Sequence, residues 1–277
     1  MGMLEGKVAF ITGAARGQGR SHALRMAQEG ADIIAVDLCS QMGSVPYPMA
    51  TPEDLAETVR QVEALDRRIV ATEADVRDSA GLKAALDDGV AQLGKLDIVS
   101  ANAGIFSVSP VEDLSDDAWD EMIAVNLTGV FKTTRAAIPH LKANGNGSIV
   151  LTSSTAGIKG TANAAHYVAA KHGVVGLMKT LANELAPHMI RVNSVHPTTV
   201  DTDMIQNQTM YDLFRPDKAP GTATVEDAGE AFLTLNALPI KWVEPVDISN
   251  AIVWLCSDMA RYVTGVQLPI DAGSVMK

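Results

Sequence analysis

Cysteine is nearly absent. Cys39 and Cys256 are the only two in 277 residues, and neither lies in a C-x-x-C or zinc-type spacing. This excludes a disulfide framework and points to a reducing compartment. Positive charge is also scarce: 22 Lys and Arg stand against 33 Asp and Glu, a formal net charge of −11, with no basic cluster. That balance argues against a nucleic-acid or anionic-membrane partner. No run of about 18 apolar residues occurs, so no membrane-spanning helix is expected. The opening MGMLEGKVAFITGAARG meets Gly and Arg too early for a secretory leader. The expected location is the cytoplasm.

Hydrophobic residues make up 47% of the chain, enough for the core of one large α/β domain. Apolar runs at 7–13, 31–37, 69–75, 96–104, 147–154, 190–197 and 265–273 alternate with helix-length amphipathic stretches near 17–29, 52–64, 79–93, 115–143, 165–187 and 245–257. Most of the runs are rich in Val and Ile without polar alternation, as in strands buried on both faces of a parallel sheet. The order predicts a single domain of α/β class, doubly wound, with helices on both faces and right-handed crossovers. Residues 203–243 break the alternation as a long segment with little strand character.

TGAARGQGR (12–20) follows the first strand and opens a helix. Gly13, Gly17 and Gly19, with Arg16 and Gln18 between them, give a loop whose backbone approaches a pyrophosphate at a helix N-terminus. A glycine-rich turn needed only for positive φ is the plainer alternative. Asp37 ends the second strand, where a carboxylate accepts ribose hydroxyls and repels a 2′-phosphate, which favours NAD over NADP. Leu38 follows it. Asp75 and Val76, then Asn102, Ala103 and Gly104, close the next two strands, on the edge where such sheets bind ligands. Asp75 is placed to meet an adenine amino group, although Asp and Asn at strand ends commonly just form turns.

Ser154, Tyr167 and Lys171 form the strongest constellation. Tyr167 and Lys171 are i and i+4 on one helix, so their side chains share a face. An ammonium at about 4 Å would stabilise a phenolate by roughly 4 kcal/mol at an effective dielectric of 20. That is about three pK units and would bring the phenol near neutrality as a proton acceptor for an alcohol. Ser154, at a strand end, is placed to hold the substrate oxygen. His166, His172 and His196 share no metal spacing and read as packed or solvated residues.

TGAARGQG, NAG, VNLTGVF, the Ser154–Tyr167–Lys171 set and YVTGVQLPIDAG together resemble the short-chain dehydrogenase/reductase family over nearly the whole chain. The resemblance implies a Rossmann-type sheet of seven parallel strands, a nicotinamide cofactor and a homotetramer. It implies a fourth catalytic residue, Asn126, holding a water that joins Lys171 to solvent, and a bond from Lys171 to the nicotinamide ribose. It also implies a carboxamide-binding loop after the sixth strand. Pro197, Val200 and Thr202 fit that loop, while Thr198 replaces the usual Gly and Gln18 stands where Ile is usual.

Between Asp37 and the Thr51-Pro52 helix start lie more residues than a connection of about 2–6 requires. This 38–51 insertion sits beside the adenosine end of the cofactor, and with Val45, Pro46, Tyr47, Pro48 and Met49 it is suited to cover NAD. The combination resembles the carveol-dehydrogenase-like branch, coupled to the peptide cofactor mycofactocin, and implies NAD that does not exchange freely and an external redox partner. Residues 203–243 carry Met204, Met210, Phe214 and Phe232 and are expected to fold over an apolar substrate. The activity expected is NAD-dependent oxidation of a small apolar, cyclic terpenoid alcohol. A ketone reductase of 3-oxoacyl or steroid type and a non-catalytic nucleotide sensor are the alternatives. Asp37 disfavours the first, and the presence of both Tyr167 and Lys171 disfavours the second.

Overall fold

The structure is a computed structural model and describes residues 2–277. In chain order the elements are β1 (Val8–Thr12), α1 (Gly17–Gln28), β2 (Asp32–Asp37), α2 (Pro52–Glu63), β3 (Ile69–Glu73), α3 (Ser79–Leu93), β4 (Ile98–Ala101), α4 (Asp116–Ile123), α5 (Val130–Asn144), β5 (Gly147–Thr152), α6 (Ala165–Leu185), β6 (Ile190–Pro197), α7 (Gln208–Phe214), α8 (Val225–Leu235), α9 (Pro245–Cys256) and β7 (Gln267–Ile270). The seven strands form one parallel sheet in the order β3-β2-β1-β4-β5-β6-β7, as the β-α alternation and the resemblance lead one to expect.

The sheet is covered on both faces. Along β1, Val8 and Phe10 enter one core with residues of α3, α5 and α6 such as Leu86, Leu141 and Met178. Ala9 and Ile11 point the other way, into a core with Met26 of α1, Val62 of α2 and Ile252 of α9. The two-residue period of a strand divides the side chains, and because both faces are dry, both sets are apolar. Edge strands β3 and β7 are only half-buried.

Local chemistry sets the helix ends. Thr51 caps α2 in a reciprocal box with Asp54, and Pro52 takes the first turn. Asp78 caps α3 by accepting from Ala80 N, and Gly94 at φ 94° ends that helix. The helix expected over 115–143 runs through that stretch without a break, as α4 and α5 with a π turn at Ala124–Gly129 between them. Such a turn holds one extra residue and often marks a functional site. Beside it the chain packs closely: a Cβ on Gly129 would come within 2.7 Å of Val76. Residues 203–243 contain α7 and α8, which meet through Phe214 and Phe232 with ring centroids 4.5 Å apart.

The sheet changes winding direction beside β1, which has β2 on one side and β4 on the other. There the Thr12 hydroxyl, on a residue 1% exposed, accepts N–H bonds from Asn102 and Ala103 at 3.1 Å each. The Asn102 amide donates back to Thr12 O at 3.1 Å. Thr12→Val keeps the shape but leaves two backbone donors without this acceptor, at about 1–3 kcal/mol each if they stay dry. Chemical denaturation should therefore show a loss of about 2 kcal/mol or more, and an unshifted midpoint would refute this clasp.

Candidate active site

A cavity of about 490 Å³ runs along the carboxyl ends of the strands. Its walls include Gly13, Arg16, Gly17, Gln18, Gly19, Asp37, Leu38, Asp75, Val76, Asn102, Ala103, Gly104, Ser154, Tyr167, Lys171, Pro197, Val200 and Thr202. Asn126 is fully buried behind that wall.

The glycine loop leaves no room for side chains. A Cβ on Gly19 would lie 1.8 Å from Gly13 O, and one on Gly13, at φ +67°, would lie 2.8 Å from Ala103 Cα. The N-cap of α1, Arg16, makes no side-chain cap, so the first N–H groups of that helix are free for an anion. Asp37 is oriented by Ala15 N at 2.9 Å and Cys39 N at 3.2 Å, and its remaining lone pairs face the cavity. Gln18 Oε1 and Thr152 Oγ1 are buried without partners although both residues line the cavity. This donor and acceptor set fits a dinucleotide with a free adenosine ribose. Asp75 lines the cavity, and its carboxylate is held by Arg77 through Nε at 2.8 Å and Nη2 at 2.7 Å. Burial pushes that carboxyl up, but the Arg77 bonds win and hold it below its ordinary range.

Lys171 is 3% exposed, donates to Thr152 O at 2.8 Å and lies 5.4 Å from the centroid of the Tyr167 ring. Burial lowers it from 10.5 to about 8. Tyr167 moves the opposite way to the expectation: burial pushes it up to about 12, with Ser154 hydrogen bonding opposing. A pairwise Coulomb sum omits the desolvation of both partners, and here the ammonium is already bonded to the Thr152 carbonyl. Charge from a bound ligand is therefore needed to make Tyr167 a base near neutrality.

Ser154 Oγ accepts from Ala156 N at 3.1 Å, which leaves its own proton to donate. His196, read in the sequence as a packing residue, is fully buried and lies 2.8 Å through Nδ1 from Ser154 O. Only a protonated Nδ1 satisfies that carbonyl, so Nε2 accepts from Ser194 Oγ at 2.8 Å. Asn126 spends both ends of its amide on Ile105, accepting from N and donating to O at 2.8 Å each. A Cβ on Gly104 would lie 3.5 Å from Asn126 Oδ1 and 3.7 Å from Lys171 Nζ, so glycine keeps the gap between them open. Thr198 takes a negative φ and donates to Asn236 Oδ1 at 3.1 Å, so its replacement of Gly costs no backbone strain.

Arg16, in the cavity wall, also makes contacts of its own within the protein. Its guanidinium donates to Pro48 O and pairs with Asp203 at 3.1 Å, joining the 38–51 loop to the segment after β6. The loop is packed: Met42, Val45 and Tyr47 are 5–6% exposed. Beyond the trio the cavity is walled by Phe106, Val108, Met204, Met210, Phe214 and Phe232, with Lys159 as a cation.

A doubly wound sheet with a glycine loop, an acidic end to β2 and a Ser-Tyr-Lys wall defines a dinucleotide-dependent oxidoreductase of Rossmann type. The chain belongs to the short chain dehydrogenase family, whose pattern it matches over residues 7–211. It is 54% identical to (-)-trans-carveol dehydrogenase of Rhodococcus erythropolis, covering 100% of both chains. It is 59% identical to a putative short-chain type dehydrogenase/reductase of Mycolicibacterium smegmatis, covering 100% of this chain and 99% of the relative. The crystal structure of carveol dehydrogenase from Mycobacterium avium in complex with NAD superposes at a TM-score of 0.98, with 54% identity and 100% of each chain covered.

Since Lys171 falls from 10.5 unfolded to about 8 folded, the unfolded chain binds more protons across that window. Stability contributed at this site therefore rises with pH there. Lys171→Met removes the effect. In denaturation of cofactor-free protein, wild type should gain on the variant between about pH 8 and 10.5, with a slope approaching about 1.4 kcal/mol per pH unit. A pH-independent difference would show that Lys171 does not titrate in this window.

Proposed function

We propose that this chain is an NAD-dependent alcohol dehydrogenase that oxidises a small apolar secondary alcohol, of cyclic terpenoid type, to its ketone. The observation that carries the reading is one cavity with Asp37 in its wall, together with Tyr167, Ser154 and Lys171 against apolar side chains. The relatives named for carveol dehydrogenase support the substrate class. Asp37 disfavours NADP, and with it the ketone-reductase alternative.

Bound oxidised NAD supplies the hydride acceptor and a positive charge beside the phenol. Tyr167 takes the hydroxyl proton as the C–H bond breaks. Ser154 donates to the substrate oxygen and fixes its distance from Tyr167. Lys171, held by Thr152 O, stabilises the phenolate form and is placed for the cofactor ribose. Asn126 holds the loop after β4 through Ile105 and, with Gly104, borders the path by which the proton reaches solvent.

The 38–51 loop holds the cofactor in place, so that NAD exchanges slowly and electrons leave through an external redox partner of the mycofactocin kind. Its support is the Arg16 link between Pro48 and Asp203 and the burial of the loop's apolar residues. The enzyme works in the cytoplasm as a homotetramer.

Tyr167→Phe should cut alcohol turnover by about a hundredfold or more with the melting temperature unchanged, and retained turnover would remove Tyr167 as base. Protein purified without added nucleotide should release close to one NAD per chain on denaturation, seen by mass, and should turn over with an artificial acceptor but poorly with free NAD. Arg16→Ala should lower the retained NAD and raise exchange. Empty wild-type protein that makes NADH freely would overturn cofactor retention.

A further inference from the structure

The insertion loop reaches past the adenosine end that its position in the sequence suggests. Gln41 organises it from within: Nε2 donates to the carbonyls of Met42, Val45 and Tyr47 at 3.1–3.2 Å, and Oε1 accepts from Met49 N at 3.0 Å. Ser44 N anchors it outside, on Glu121 at 3.2 Å. This places Tyr47, 6% exposed, with its hydroxyl 3.2 Å from Phe106 N. Phe106 belongs to the loop after β4, and its ring stands edge-on to Tyr167, with centroids 4.8 Å apart and planes at 86°.

We propose that Tyr47 is a positioning residue for the catalytic phenol. Its hydroxyl accepts the Phe106 N–H, and Phe106 in turn holds the Tyr167 ring. The preceding residue, Ile105, is already clamped at both backbone atoms by Asn126. Two consecutive residues are thus fixed from opposite sides, one by the π turn and one by the insertion. The backbone that carries the Phe106 ring is pinned at two successive residues, Ile105 by Asn126 and Phe106 by Tyr47. Edge-to-face contact then restricts the tilt of Tyr167. The Tyr47 hydroxyl thus ties the insertion to a loop 59 residues further along the chain. The loop that covers the cofactor therefore also builds the wall that orients the base.

This inference rests on the assignment of Tyr167 as proton acceptor, and the test separates the two. In Tyr47→Phe the ring stays and the acceptor goes. Amide hydrogen exchange at Phe106 should accelerate about tenfold or more. Alcohol kcat, measured with an artificial acceptor, should fall about tenfold, with KM and retained NAD within about twofold of wild type. Phe106→Leu should lower kcat similarly while its own N–H stays protected. The double variant should be no slower than the slower single, since both cut one chain of contacts. Unchanged exchange at Phe106, unchanged kcat in Tyr47→Phe, or additive losses in the double variant would each overturn the inference. Wild-type protein that oxidises no alcohol would instead overturn the proposed function, and exchange at Phe106 would still decide whether the Tyr47 clamp exists.

Discussion

Two strands end on the hydroxyl of Thr12, and everything around the cavity depends on that meeting. Parallel strands wound outward in both directions diverge at the switch point, and their last residues carry backbone groups with no strand partner. Thr12 takes two N–H groups from the end of β4, and Asn102 returns a bond to β1. The crevice is thereby held open at a fixed width without a side chain filling it. The glycine loop can then lie against Ala103, close enough that Gly13 admits no Cβ.

From that frame the site becomes a problem of burying ionisable groups. Lys171 is buried in the wall and Tyr167 partly buried beside it, and each is driven toward its neutral form: the lysine falls to about 8 and the tyrosine rises to about 12. Two groups displaced in this way are poised to respond to any charge placed between them. Two of the polar groups around them are committed to fixed partners. His196 is restricted to one tautomer by Ser154 O on one side and Ser194 on the other. Asn126 is used up on Ile105. Fixed dipoles of this kind set geometry without competing for the proton.

Much of this could be read before any coordinates. The sheet was legible because most strands are runs rich in Val and Ile that alternate with helix-length stretches, and the glycines and Asp37 because single residue types serve them at strand ends. The spacing of Tyr167 and Lys171 was legible from helix period alone. The strength of Tyr167 as an acid was not, since it depends on desolvation by residues scattered along the chain. The π turn at Asn126 leaves no periodic mark, because one extra residue in a helix resembles an ordinary drift of its apolar face. Arg16 lies inside a phosphate-loop motif, yet its partners Pro48 and Asp203 come from two remote segments. Tyr47 stood in plain view as an apolar contact of the insertion, but nothing local shows where its hydroxyl goes.

The anchors of the 38–51 loop also bear on how the chain acquires its form. Ser44 binds a residue 77 positions on, Tyr47 one 59 positions on, and Pro46 accepts from Thr209, 163 positions on. Contacts of such separation carry a large closure entropy and form slowly compared with local ones. On the ribosome, the loop emerges early, but it has nothing to settle against until β4, α4 and finally α7 have followed. It is made well before the segments against which it settles.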